Sequence, residues 1–264
     1  VAGKKYELTG TPVESKVEGT IDSWVDGMKT ITLTKAGTLS NYILDNEKYV
    51  ITSLKVTGPL NGTDIKVIRE MCSRDVYGND VAGMLTYLDL GEAKIVAGED
   101  DYYSSYKTTE NEIGDWMFAD CIIEEIILPN DIKRIGYRAF WNCSYLKTIN
   151  MPQDIGTIEA EAFSLCESLF FIDLPDDLTA IGEGAFSSSG LTSIDIPNGV
   201  KVIEKYTFRF CNKLVSITFP DQLTSIGDNA FEDCESLEEI NIPDSVTSIG
   251  NNAFEDCKSL KNVT

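Results

Sequence analysis

The chain has 264 residues, with 43 Asp and Glu against 22 Lys and Arg, and no histidine. A formal charge of −21 argues against DNA, RNA and anionic membrane surfaces, whose phosphates require basic patches. The absence of histidine removes Ser-His-Asp and Cys-His nucleophiles and every His-ligated zinc site, and no apolar run approaches the roughly 20 residues that span a bilayer.

The opening Val1-Ala2-Gly3-Lys4-Lys5 has neither an initiator methionine nor an apolar leader, which is compatible with secretion. Residues 1–35 read as an N-terminal strand or hairpin segment, because Asp26-Gly27 between apolar residues is a hairpin signal. Residues 36–112 read as diverged capping repeats, with Leu54-x-Val56 and Leu85-x-x-Leu88-x-Leu90 as strands at loose spacing. Between them, Thr63-Asp64 is a plausible N-cap for a short helix over 65–71, with Ile65, Ile68 and Cys72 on one face. An insertion at 97–110 carries Tyr102, Tyr103 and Tyr106 among acidic residues.

From 113 to 264 a repeat dominates. Phe falls at 118, 140, 163, 186, 208, 231 and 254, and Pro at 129, 152, 175, 197, 220 and 243, always 22 or 23 apart. The alternation Ile240-x-Ile242 predicts a strand with one buried face, which Pro243 ends because it has no N–H to donate. Val246-x-x-Ile249 predicts a second short extended piece, and Ala253-Phe254-x-x-Cys257 a helical turn with Phe254 filling the core. One copy buries too little to fold alone, whereas stacked copies share a continuous core.

The pattern Leu-x-x-Ile-x-Leu-Pro-x-x-Val-x-x-Ile-Gly-x-x-Ala-Phe-x-x-Cys resembles the BspA-like class of leucine-rich repeats, found in secreted and surface proteins of bacteria and in some protozoa. The resemblance implies an α/β repeat solenoid of short parallel strands and helical turns behind a diverged N-terminal cap. It also implies a bacterial, non-enzymatic protein at the cell surface or outside the cell, its targeting or anchoring segment lying outside this sequence. The function implied is adhesin-type binding of a host or neighbouring-cell protein or glycan. Departures from the pattern cluster: Ser189 stands for Cys in a segment one residue short, Glu159 and Glu204 for Gly, and Thr207 for Ala. A local change in curvature is expected there, with a ligand site as one use of it.

Several constellations have both a chemical and a structural reading. Six of the seven cysteines share one repeat column and no CxxC pair exists, so small buried fillers are expected rather than a metal site. The outward strand columns should be Glu125, Thr148, Phe171, Ser193, Ser216, Glu239 and Ile127, Asn150, Asp173, Asp195, Thr218, Asn241. Phe171 beside Asp173 and Asp195 could stack on a sugar or hold a cation; an ordinary polar face with one stray aromatic is the alternative. Aligned acids such as Asp173 with Asp195, or Glu239 with Glu125, could serve a polysaccharide-degrading enzyme, yet repetition alone aligns them, and no catalysis is expected. Acidic turns such as Asp176-Asp177 and Glu255-Asp256 suit calcium, but turn chemistry and solvation account for them, so no cofactor is expected. Tyr102, Tyr103 and Tyr106 either bind a ligand or cover the convex side. The ligand-binding set expected is Phe171, Asp173, Asp195, Glu239, Asn241, Tyr102, Tyr103 and Tyr106, and the competing function is a spacer holding another domain off the cell surface.

Overall fold

The computed structural model describes residues 22–25 and 27–264; the rest of the predicted N-terminal segment lies outside the described residues. Strand Asp22–Val25 runs antiparallel to Met28–Thr32, with Val25 opposite Met28 and Gly27 at φ +83 between them, the hairpin expected there. All later inter-repeat pairing is parallel. The front sheet continues from Met28–Thr32 through Ser53–Leu60, Tyr87–Asp89 and Glu125–Ile127 to Thr148–Ile149. Further on, Ser193–Asp195 pairs with Ser216–Thr218, and Glu239–Ile240 with Asn262–Val263. A second sheet stacks Glu112–Ile113, Arg134–Ile135, Thr157–Ile158 and Ala180–Ile181, then Val202–Ile203, Ser225–Ile226 and Ser248–Ile249. The isoleucines of most of these strands turn inward, so Ile126, Ile194, Ile217 and Ile240, with Ile172 at the same place in its repeat, share one buried core with Ile135, Ile158, Ile181, Ile203 and Ile226, while Ile249 in the last copy is about half exposed.

The third side of each repeat is the turn edge, and here the structure differs from the expected helical turn. Two residues in every copy take left-handed backbone, two before and two after the Phe: Arg138 (φ 52) and Asn142 (φ 56) around Phe140, Asn229 (φ 55) and Asp233 (φ 60) around Phe231. Every second amide closes a turn onto the carbonyl three residues back, as Ala139 does to Gly136 and Trp141 to Arg138. The amides between them point along the stack, so Arg138, Phe140 and Asn142 donate to the carbonyls of Ala160, Ala162 and Ser164 at 2.8–3.1 Å. A helix would use all these amides within its own coil; this turn releases half of them to join neighbouring repeats. Three such bonds span each junction from Phe118 to Phe254.

Behind these bonds the Phe rings stack face to face, with centroids 5.2–5.7 Å apart from Phe118 to Phe254. The repeats approach closely where Gly recurs after the second strand: a Cβ on Gly227 would come within 2.6 Å of the Lys205 amide nitrogen.

The expected helix forms as α1 (Gly62–Met71), but its cap is at Asn61, before the Thr63-Asp64 of the sequence reading. Asn61 is the N-cap and accepts from the Thr63 amide at 3.1 Å. Asp64, fully buried, instead accepts from the amides of Asn61, Gly37 and Leu39 at 3.0, 2.6 and 2.9 Å, tying the helix to the preceding loop.

One junction is different. The second sheet has no pairing between Ala180–Ile181 and Val202–Ile203. In the front sheet residues 171–173, one repeat before Ser193–Asp195, form no strand. This is the copy shortened at Ser189-Gly190-Leu191, where Gly190 leaves no space for a Cβ beside the Glu167 carbonyl. The turn edge crosses the same junction intact, through bonds from Gly184, Phe186 and Ser188 to Lys205, Thr207 and Arg209 at 2.8–3.0 Å.

Candidate recognition face

The outward front columns point to solvent as their alternation requires: all of the residues named above are exposed apart from Ile127, which is half-buried. Phe171 is 56 % exposed, and Phe170, which the sequence reading passed over, is 53 % exposed next to it. Adjacent side chains in a regular strand point to opposite faces. Here the place of Phe170 precedes the strand and is exposed in the regular copies too, at Lys147, Thr192, Val215 and Glu238, so both rings stay outside; the Phe170 carbonyl accepts from the Thr192 amide at 3.1 Å and from its hydroxyl at 3.2 Å.

Asp173 and Asp195 occupy the neighbouring column in successive repeats, and Asp195 lies in register with Thr218. Among the described residues no cation pairs with Asp173, Asp195, Glu125, Glu238 or Glu239. Lys147 on the same face is held by Glu124 at 2.5 Å. Glu239 and Asn241 line an open depression of about 500 Å³ with Val215, Ser216 and Thr264, whose hydroxyl reaches the Asn241 side chain at 3.5 Å.

The three tyrosines lie elsewhere, on the turn edge. Their hairpin pairs Asp101–Tyr103 with Tyr106–Lys107. Tyr102 is 1 % exposed and donates its hydroxyl to the Asp115 carbonyl at 2.7 Å; burial first, then the nearby Asp115 charge, pushes that hydroxyl well up in pKa. It therefore offers a ligand nothing, and its expected binding role gives way to a core role. Tyr103 stacks on Trp116 at 5.7 Å and lies near-parallel to Tyr106 at 6.4 Å, with the buried Arg69 guanidinium 4.6 Å from its centroid. Arg138 sits over Trp116 at 4.9 Å and forks onto Glu161. These rings spend their faces on one another and on two arginines. The expected set thus divides into an exposed front group and a turn-edge group closed on itself.

The pattern described as a BspA type leucine rich repeat region matches residues 105–192 and 179–264, in six copies, over more than half of the chain. The chain belongs to the BspA-type leucine-rich repeat family. Among solved structures, a leucine-rich repeat protein from Bacteroides ovatus is 34% identical, with 61% of this chain and 43% of that one covered and a TM-score of 0.58. A leucine rich cell surface protein from Faecalibacterium prausnitzii is 31% identical, with 61% and 44% covered and a TM-score of 0.53. The leucine rich repeat protein of T. pallidum is 33% identical, with 58% and 72% covered and a TM-score of 0.56. The BspA-type chain spans less than half the length of the first two. No curated protein matches it. Among the described residues of this BspA-type solenoid, no helix is long and apolar enough to cross a membrane.

Proposed function

We propose that the chain is a non-enzymatic recognition module of a secreted or surface-held bacterial protein, binding a host or neighbouring-cell protein or glycan through its front sheet. The observation that carries this reading is the pair Phe170 and Phe171, both more than half exposed on a face whose other exposed residues are mostly polar. Exposing two adjacent rings forgoes about 1–2 kcal/mol of burial each, which a partner covering them recovers. The similarity to a leucine rich cell surface protein supports the location. The test is binding of the purified chain to arrayed matrix proteins and glycans, beside Phe171→Ala checked for intact folding by circular dichroism. Binding lost in the variant supports the front face. Binding retained moves the site elsewhere, and no binding at micromolar concentration favours the spacer. The spacer reading has its own support in the unbroken Phe stack and turn-edge bonds, which suit a rigid rod.

A further inference from the structure

Resting on that reading, we propose that the occupant of the front face is a basic protein segment carrying apolar side chains, which set against Phe170 and Phe171 while its Lys or Arg residues meet Asp173 and Asp195. Two independent features point to this chemistry. The rings supply an apolar contact that polar saccharides use only through their ring faces, whereas an aliphatic or aromatic side chain covers them fully. The carboxylates around them have no cation partner among the described residues: Asp173 and Asp195 beside the rings, Glu238 and Glu239 further along, Glu125 on the other side. Elsewhere this protein pairs its acids across repeats, as Glu161 with Arg138, Glu232 with Arg209 and Glu235 with Lys258. On the front face Glu124 and Asp89 are paired in this way, with Lys147 and Lys55, but the two carboxylates beside the rings are not.

Charge complementarity then discriminates among occupants. A second copy of this face would set like carboxylates against each other, and the overall charge of −21 adds to the repulsion. Sulfated or sialylated glycans meet the same barrier. A cationic segment is drawn to the face, and an opposite charge placed beside the rings keeps its register as the apolar contact forms.

The experiment uses the whole chain and three labelled synthetic peptides in which Leu alternates with Lys, with Ser or with Glu. The Lys–Leu peptide should bind, more weakly as salt is raised, while the Ser–Leu and Glu–Leu peptides bind at least about tenfold more weakly. Affinity should fall about tenfold in D173N/D195N and about tenfold in F170A/F171A, yet stay within about twofold in the turn-edge control E255Q/D256N. Equal losses in D173N/D195N and E255Q/D256N would mean diffuse attraction to an acidic protein, and the inference falls. Equal binding of Ser–Leu and Lys–Leu peptides, with loss in F170A/F171A, overturns the charge argument but leaves the recognition face standing. If neither double variant weakens any binding, the inference and the recognition face fail together.

Discussion

The thiol of Cys166 donates to the carbonyl of Phe140, 3.2 Å away and one repeat back. The same bond recurs from Cys143 to Phe118, Cys211 to Phe186, Cys234 to Phe208 and Cys257 to Phe231, at 3.0–3.1 Å. The column is therefore a set of weak donors that satisfy carbonyls on the turn edge, and no disulfide is formed. Ser189 in the same column takes a different partner, its hydroxyl lying 3.3 Å from the Cys211 sulfur one repeat ahead.

Burial raises these thiols: Cys211 from 9.0 up to about 11, Cys257 likewise to about 11, and Cys143, Cys166 and Cys234 upward as well. Their protonated form is favoured by the fold, so in the unfolded chain they lose protons first. The stability they contribute is complete below about pH 9 and declines as pH rises toward 11. Urea midpoints measured with reductant at rising pH should fall across that window. A flat profile would show that the thiols ionise in place.

Phe163 lies between two parallel rings, 5.2 Å from Phe140 and 5.5 Å from Phe186. Phe163→Ala opens a cavity in the middle of the stack and should cost roughly 3–5 kcal/mol, read as a lower urea midpoint.

Glycine at two positions should behave in opposite ways. Gly227→Ala forces a methyl against the Lys205 amide and the Glu204 carbonyl carbon, at 2.6 and 2.8 Å, and should destabilise by about 2 kcal/mol or more. Gly156→Ala meets only the Lys133 carbonyl oxygen at 3.9 Å, and should be neutral or stabilise by about 0.5 kcal/mol through the unfolded chain.

Asp64→Asn leaves one acceptor where a carboxylate now serves three amides. It should cost roughly 2–5 kcal/mol and loosen the join between α1 and the 37–39 loop, visible as faster amide exchange at Gly37 and Leu39.

The columns of Phe and Pro were enough to read the solenoid, because a period of 22 or 23 leaves each copy one way to stack. The conformation of the turn edge was harder. Its signal lay in Asn229, Asp233, Asn252 and Asp256, residue types that tolerate left-handed backbone, but the equivalent places hold Arg138, Leu165 and Phe210 in other copies, which hide it. On the candidate face, Phe171 was legible from alternation. Phe170 was not, since alternation carried back from Phe171 assigns it to the other side, whereas the strand begins only after its place in the repeat, as the exposed Lys147, Thr192, Val215 and Glu238 show. Tyr102 was misread because a hairpin buries every second residue, and no residue type marks which.

The same reasoning gives a test. Leu165 is held at φ 63, and Leu165→Asn should raise stability by about 1 kcal/mol by relieving that strain, seen as a higher melting temperature.

The interruption of both sheets at one repeat has a mechanical consequence. Resistance to bending is lowest where two of the three sides lose their strand pairing, and the intact bonds from Gly184, Phe186 and Ser188 then act as the spine of a book. The two leaves are the repeats before and after residues 171–203. Phe170 and Phe171 stand at the gutter between them, so whatever settles on those rings also sets the angle at which the two halves are read.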